Sequence, residues 1–191
     1  MFISPRVAIE NGWIKYRDFS DYDHWTTANF VSPNAIDFPL SKVFSIAEAN
    51  AFIVAEEGKV MRGGAPFNPV TDRATGKDYW NLAGNSVWDC LSDMYVDVPD
   101  GVACMLITRS TLSRNGLFLT SGLYDSNFQG SIGCALYNNC SGIAKIGVDT
   151  RIGQIIFVES NNEGGYKGGY NHQPGSHWNT SANVTENVTP N

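Results

Sequence analysis

Pro99-Asp-Gly-Val-Ala-Cys-Met-Leu-Ile107 decides the fold: a Pro-Asp-Gly turn delivers the chain into a buried apolar run, Val102 to Ile107. The same alternation of turn and run then repeats at residues 116–120, 132–137 and 152–158. Repeated short strands joined by turns predict an all-β sandwich or distorted jelly-roll barrel. Upstream, Asn34-Ala-Ile-Asp-Phe-Pro-Leu40 leads into Val43-Phe-Ser-Ile46 and Ala51-Phe-Ile-Val-Ala55, whose branched and aromatic residues suit strands. A short helix is expected only near the start, where Val7-Ala-Ile-Glu-Asn-Gly-Trp-Ile14 spaces apolar residues helically around Gly12. From Arg62 to Gly84 the residues Gly63, Gly64, Pro66, Pro69, Asp72 and Gly76 interrupt every apolar pattern. That stretch predicts a long excursion, either a lid or a surface insertion.

The chain has 191 residues, enough for one well-buried core. Hydrophobic residues make up 42% and charged residues 17%, and 19 glycines favour tight turns over long helices. The expected division is one β domain over residues 1–163 and a mobile tail over 164–191, because Gly164-Gly-Tyr-Lys-Gly-Gly-Tyr170 and the Ser, Thr and Asn-rich end are too polar to join a core. A formal net charge of -6 supplies no broad basic surface, which argues against a nucleic-acid polymer as partner while leaving a small phosphorylated ligand open. Cys90, Cys104, Cys134 and Cys140 form no CxxC pair and read as reduced thiols, and no His-rich segment suggests zinc. With no basic stretch followed by a sustained apolar run, a cytoplasmic protein without a membrane partner is expected.

Three polar clusters end or interrupt apolar runs. In Arg109-Ser-Thr-Leu-Ser-Arg114 a guanidinium and a hydroxyl arrive together at a strand end and could grip phosphate oxygens, although Arg-Ser after a strand is commonplace. In Gly122-Leu-Tyr-Asp-Ser-Asn-Phe-Gln-Gly130, Asp125 lies between Tyr124 and Phe128, where limited water would let a carboxylate act as general base; taken alone, a turn-forming Asp is the better reading. In Asp149-Thr-Arg-Ile-Gly-Gln154, Arg151 and Gln154 flank an apolar alternation, and either could point outward from an edge strand.

Order and spacing are more informative than any single cluster. Arg-Ser-Thr-Leu-Ser-Arg resembles the Arg-Ser-Ser-Leu-Ala-Arg motif of the dUTPase and dCTP deaminase superfamily. Gly-Leu-Tyr-Asp-Ser-Asn-Phe-Gln-Gly resembles its Gly-Leu-Ile-Asp-Ser-Asp-Tyr-Gln-Gly motif, Arg151-Ile-Gly-Gln154 its Arg-Ile-Ala-Gln, and Asn34-Ala-Ile-Asp37 its first motif. The resemblance implies a homotrimer of jelly-roll subunits with active sites at the subunit boundaries and a deoxynucleoside triphosphate as substrate. By that resemblance Arg109, Ser110, Thr111, Arg114 and Gln154 would meet the phosphate chain, and Asp37 would hold a magnesium ion (Mg2+) through water. Asp125 would meet the deoxyribose and orient the attacking water, and Phe128 would take the place of a Tyr that stacks under the sugar. Tyr170 and Gln173, in Gly169-Tyr-Asn-His-Gln-Pro-Gly175, match the deaminase tail and would close over the substrate.

The two branches of the superfamily differ at one position. Deaminases resemble one another in a Gly-x-Ile-x-x-Glu-Phe-Tyr-Asn stretch whose Glu transfers protons during attack on cytosine. Here the stretch is Gly130-Ser-Ile-Gly-Cys-Ala-Leu-Tyr-Asn138, and Ala135 cannot carry a proton. The expectation is therefore hydrolysis of dUTP to the monophosphate and pyrophosphate on a deaminase-like chassis. The alternatives are a dCTP deaminase-like enzyme, a nucleotide-binding protein without turnover, and a purely structural trimer.

Overall fold

A computed structural model describes residues 1–19, 21–47, 53–55, 58–60 and 63–168. The chain opens with β1 (Phe2–Ile3), α1 (Pro5–Glu10), β2 (Ile14–Tyr16) and α2 (Tyr22–Thr27). It continues through β3 (Val31–Ser32), β4 (Ala35–Pro39), β5 (Lys42–Ile46), β6 (Ile53–Ala55), β7 (Gly58–Val60), β8 (Gly64–Pro66), β9 (Val70–Thr71) and β10 (Asp78–Leu82). Then come β11 (Ser86–Asp97), β12 (Val102–Thr108), α3 (Ser110–Ser113), β13 (Leu117–Thr120), β14 (Leu123–Tyr124), β15 (Gln129–Asn138), β16 (Ala144–Gly147) and β17 (Arg151–Glu159).

The expected N-terminal helix is α1, where Pro5 occupies the first turn, a position at which its missing N–H costs nothing. The chain leaves it at Gly12, whose φ of +69° suits a residue without Cβ. α2 begins at Asp21, whose side chain accepts a hydrogen bond from the backbone N–H of His24 at 2.9 Å. It carries Trp25 into an aromatic group with Tyr16, Phe19 and Phe30.

Two six-stranded antiparallel sheets form the body. One runs β14-β12-β17-β4-β3 with β1 added beside β17; the other runs β13-β15-β11-β5-β8 with β2 added beside β11. A single apolar cluster fills the space between them, drawing Ile36, Phe38, Leu106 and Ile155 from the first sheet and Val43, Met94, Leu119 and Leu136 from the second. Alternation builds this arrangement: in β15, Ile132, Cys134 and Leu136 turn inward while Ser131, Ala135 and Tyr137 turn out. The sheets stay separate, giving a sandwich of the jelly-roll type rather than a closed barrel.

The stretch from Arg62 to Gly84 departs from the expected excursion. It contains β8, which extends the second sheet beside β5, and the hairpin of β9 and β10, which joins β16 in a small third sheet. The hairpin turn is held by Asp72, whose carboxylate accepts from the backbone N–H groups of Ala74 and Thr75 and pairs with Lys145. Gly and Pro punctuated these strands without abolishing them, because edge strands tolerate both. Cys90, Cys104 and Cys134 are buried free thiols, as expected, and Cys140 is exposed. Among the described residues no helix is long and apolar enough to cross a membrane.

Candidate active site

Asp37 lies in β4, opposite Gln154 of β17, which in turn lies opposite Ile107 of β12. Its carboxylate is only 2% exposed, and a buried charge of this kind persists only when paired. The pairing is generous. Gln154 Nε2 donates to Asp37 Oδ1 at 3.2 Å, Arg151 Nη1 donates to Oδ2 at 3.2 Å, and Arg109 Nε stands 3.7 Å from Oδ1. Arg109 Nη1 also donates to the Arg151 carbonyl at 3.3 Å, Arg151 Nη1 donates to the Asn29 carbonyl, and Gln154 Nε2 reaches Ser32 Oγ at 3.4 Å.

Local register explains this convergence. In a regular strand Arg151 and Gln154, three positions apart, would point to opposite faces. The pairing of β17 with β4 shifts between Arg151 and Gly153, so one extra residue is inserted and the parity is corrected. Arg109 follows the end of β12, two positions beyond Ile107, and its backbone N–H donates to the Ile152 carbonyl at 3.2 Å. Both side chains are about one-third exposed, so one anion holds two cations that remain open to solvent. Ser110 and Thr111 are exposed on α3, directly after Arg109, and Arg114 is exposed at its C-terminal cap.

Asp125 lies elsewhere. It is exposed in the turn after β14, where the Phe128 N–H donates to its carbonyl at 3.0 Å. β12 and β17 separate β14 from β4, and the registers offset Asp125 from Asp37 by four residues along the strands. With ordinary sheet spacings the two carboxylates of one chain stand roughly 20 Å apart. One chain therefore does not bring them together.

Phe128 is buried, with Tyr124 at 5.1 Å and Tyr166 edge-on at 5.3 Å between ring centroids. Tyr166 is held there by its backbone N–H, which donates to the Ser126 carbonyl at 2.7 Å, so the chain leaves the body beside the Asp125 turn. The buried Tyr124 hydroxyl donates to the Gly133 carbonyl at 2.8 Å, and desolvation pushes its pKa well up. Tyr170 and Gln173 lie outside the described residues.

Magnesium held by Asp37 is a poor fit to these residues. Both carboxylate oxygens already face nitrogen donors, and two guanidinium groups within 4 Å repel a dication. Among the described residues no group of three His, Cys, Asp or Glu is placed to hold a metal ion.

Residues 85–169 match the family model for dUTPase, a segment that contains Arg109, Asp125, Arg151 and Gln154. A dUMP-forming dCTP deaminase of Sulfurihydrogenibium sp. is 36% identical over 85 residues, 43% of this chain and 47% of the relative. A probable deoxyuridine 5'-triphosphate nucleotidohydrolase of Methanopyrus kandleri is 23% identical over 138 residues, 72% of this chain and 85% of the relative. A dUTPase family domain thus lies within residues 85–169, and the similarities of the chain run to the dUTPase and dCTP deaminase superfamily. Within it, the crystal structure of 2'-deoxycytidine 5'-triphosphate deaminase from Agrobacterium tumefaciens shares the fold, with a TM-score of 0.57 at 12% identity, over 82% of this chain and 47% of that one. The chain thus spans about half the length of these two deaminases and most of the nucleotidohydrolase.

Sequence reasoning had joined Asp37 to Gln154 and Arg109 through the superfamily motifs, and the chain gathers all three. It left Arg151 as a residue free to point outward, since nothing in the sequence marks the register shift that turns it toward Asp37. The deaminase position, Ala135, lies directly between Asp89 of β11 and Thr120 of β13.

Proposed function

We propose that the protein hydrolyses a deoxynucleoside triphosphate, most plainly dUTP, to the monophosphate and pyrophosphate. The observation that carries this reading is the gathering of Arg109, Arg151 and Gln154 around one buried carboxylate on a sheet face, with the exposed Ser110 and Arg114 alongside. Paired guanidiniums suit the oxygens of a polyphosphate, because each presents several N–H donors in a fixed plane.

In this reading Asp125 accepts a proton from a water that attacks phosphorus, a new P–O bond forms, and the bond to the departing pyrophosphate breaks. Because Asp125 and the arginine pair are far apart within one chain, the complete site requires Asp125 from a second copy. The face that carries Gln154 also exposes Ile107 and Leu123, an apolar margin suited to contact between copies, and the superfamily resemblance implies a homotrimer. That resemblance also implies magnesium, which the assay includes, but the ion-paired Asp37 is not the residue proposed to hold it.

Pyrophosphate and ammonia release should be measured together for each dNTP with magnesium present. Pyrophosphate from dUTP without ammonia from dCTP is expected; no pyrophosphate from any dNTP refutes the hydrolase. One observation favours a second reading, dCTP deamination: Asp89 lies directly across from Ala135 on the same sheet face, where its carboxylate could serve in place of the missing Glu. Ammonia release lost in Asp89→Asn would establish that reading.

A further inference from the structure

We propose that Asp37 is a buried counter-ion that aims Arg109 and Arg151 as a pair of guanidinium forks at the phosphate oxygens of the substrate, and that it is not the anchor of a divalent ion. This deepens the hydrolase reading and rests on the site accepting a polyphosphate.

The geometry separates the two roles. A carboxylate that anchors a hydrated dication needs an open face, and the Asp37 side chain is 3% exposed with its oxygens directed at Gln154, Arg151 and Arg109. A counter-ion needs the opposite, complete enclosure with the cations outermost, and the side chains of Arg109 and Arg151 are 30% and 32% exposed. Their fixed contacts run through Nε and Nη1 of Arg109 and Nη1 of Arg151. Nη2 of each guanidinium therefore has no protein acceptor among the described residues and is available to a ligand oxygen. Two cations around one anion leave a net positive charge at a site whose other side-chain partner among the described residues, Gln154, is neutral. Asp37 is thus a positioning residue: it acts on substrate through the two arginines.

The test is calorimetric titration of the full-length protein with inorganic tripolyphosphate, once with a chelator and once with magnesium, beside steady-state kinetics. The wild type should bind tripolyphosphate without metal. Arg151→Gln and Asp37→Asn should each weaken that binding roughly tenfold or more in both conditions, with a matching rise in KM. The magnesium concentration giving half-maximal activity should stay within about twofold of wild type, a readout that a metal anchor would move. Asp37→Asn leaves two guanidiniums facing each other, so the double variant Asp37→Asn with Arg151→Gln, which removes one charge of each sign, serves should the single variant not fold; it too should bind less tightly without metal.

Wild-type binding that strictly requires magnesium overturns the proposal. So does an Asp37→Asn protein that binds metal-free tripolyphosphate normally but needs roughly tenfold more magnesium for turnover. Metal-free tripolyphosphate binding together with no pyrophosphate release from any dNTP would remove the hydrolase reading and keep this one.

Discussion

Two aspartates of the superfamily motifs occupy opposite physical settings. Asp37 is enclosed and charge-compensated, whereas Asp125 is exposed on a turn in which Tyr124, Ser126 and Phe128 are buried. An enclosed carboxylate contributes to stability and an exposed one is free for chemistry. Asp125→Asn should therefore leave the melting temperature within about 2 °C of wild type while lowering pyrophosphate release by about 10²-fold or more, as loss of a general base does. A melting curve and a pyrophosphate assay on the same preparation check both parts. A third carboxylate gives a pH signature. The hydrogen bond from Lys145, and then the backbone N–H groups of Ala74 and Thr75, hold the Asp72 pKa at about 2. A carboxylate depressed in the folded state contributes stability that is whole above its unfolded value, about 3.9, and is lost as pH falls through about 2. The hairpin of β9 and β10 should loosen across that window, seen as faster amide exchange at Ala74 and Thr75, and Lys145→Met should reduce the pH dependence to the part due to the two backbone N–H groups.

At the level of elements, much was legible because each inward run is apolar and each outward position is not. β12, β13, β15 and β17 all fall where the turn-and-run rhythm of the sequence predicts them. Two features escaped it. β8 and β9 are short edge strands that bury little, and β10, which buries Trp80 and Leu82 between β9 and β16, is only five residues long, so the apolar signal of all three is weak among Gly and Pro. The register shift in β17 is a property of pairing with β4, and no local pattern encodes it. Next to that shift, Gly153 is constrained from both sheets: a Cβ there would come within 2.8 Å of Leu106 Cδ1, 2.9 Å of Leu119 Cδ2 and 3.1 Å of the Ile107 carbonyl. Gly153→Ala should cost about 1–3 kcal/mol by overpacking and should also disturb the adjacent Gln154 and Arg151, two residues before it. Denaturant unfolding measures the first effect and nucleotide affinity the second. An unchanged midpoint would show that the leucines yield freely.

For the whole molecule, the distance between Asp37 and Asp125 sets the main expectation. In the proposed mechanism a chain whose two candidate chemical groups lie on and beside well-separated strands of one sheet would carry half a site at each place. Light scattering should give three times the chain mass, and mixing Asp125→Asn with Arg151→Gln chains should raise activity at low substrate above that of either variant alone, because some boundaries then combine two intact halves. A monomer with full activity contradicts this. The motifs make the assembly an expectation from resemblance, and the strand order adds that one chain keeps Asp37 and Asp125 apart.

The turn that launches β17 contains Asp149, held at a φ of +60° and gripped by both terminal nitrogens of Arg17, at 2.9 and 2.6 Å. Those partners are 132 positions apart, so the grip cannot form until nearly the whole chain has been gathered. Arg151 lies two residues later, at the start of β17. Ligand-binding competence should accordingly emerge after the bulk of sheet formation during refolding, as the slowest observable phase, and Arg17→Ala should delay that phase while leaving the earlier ones untouched.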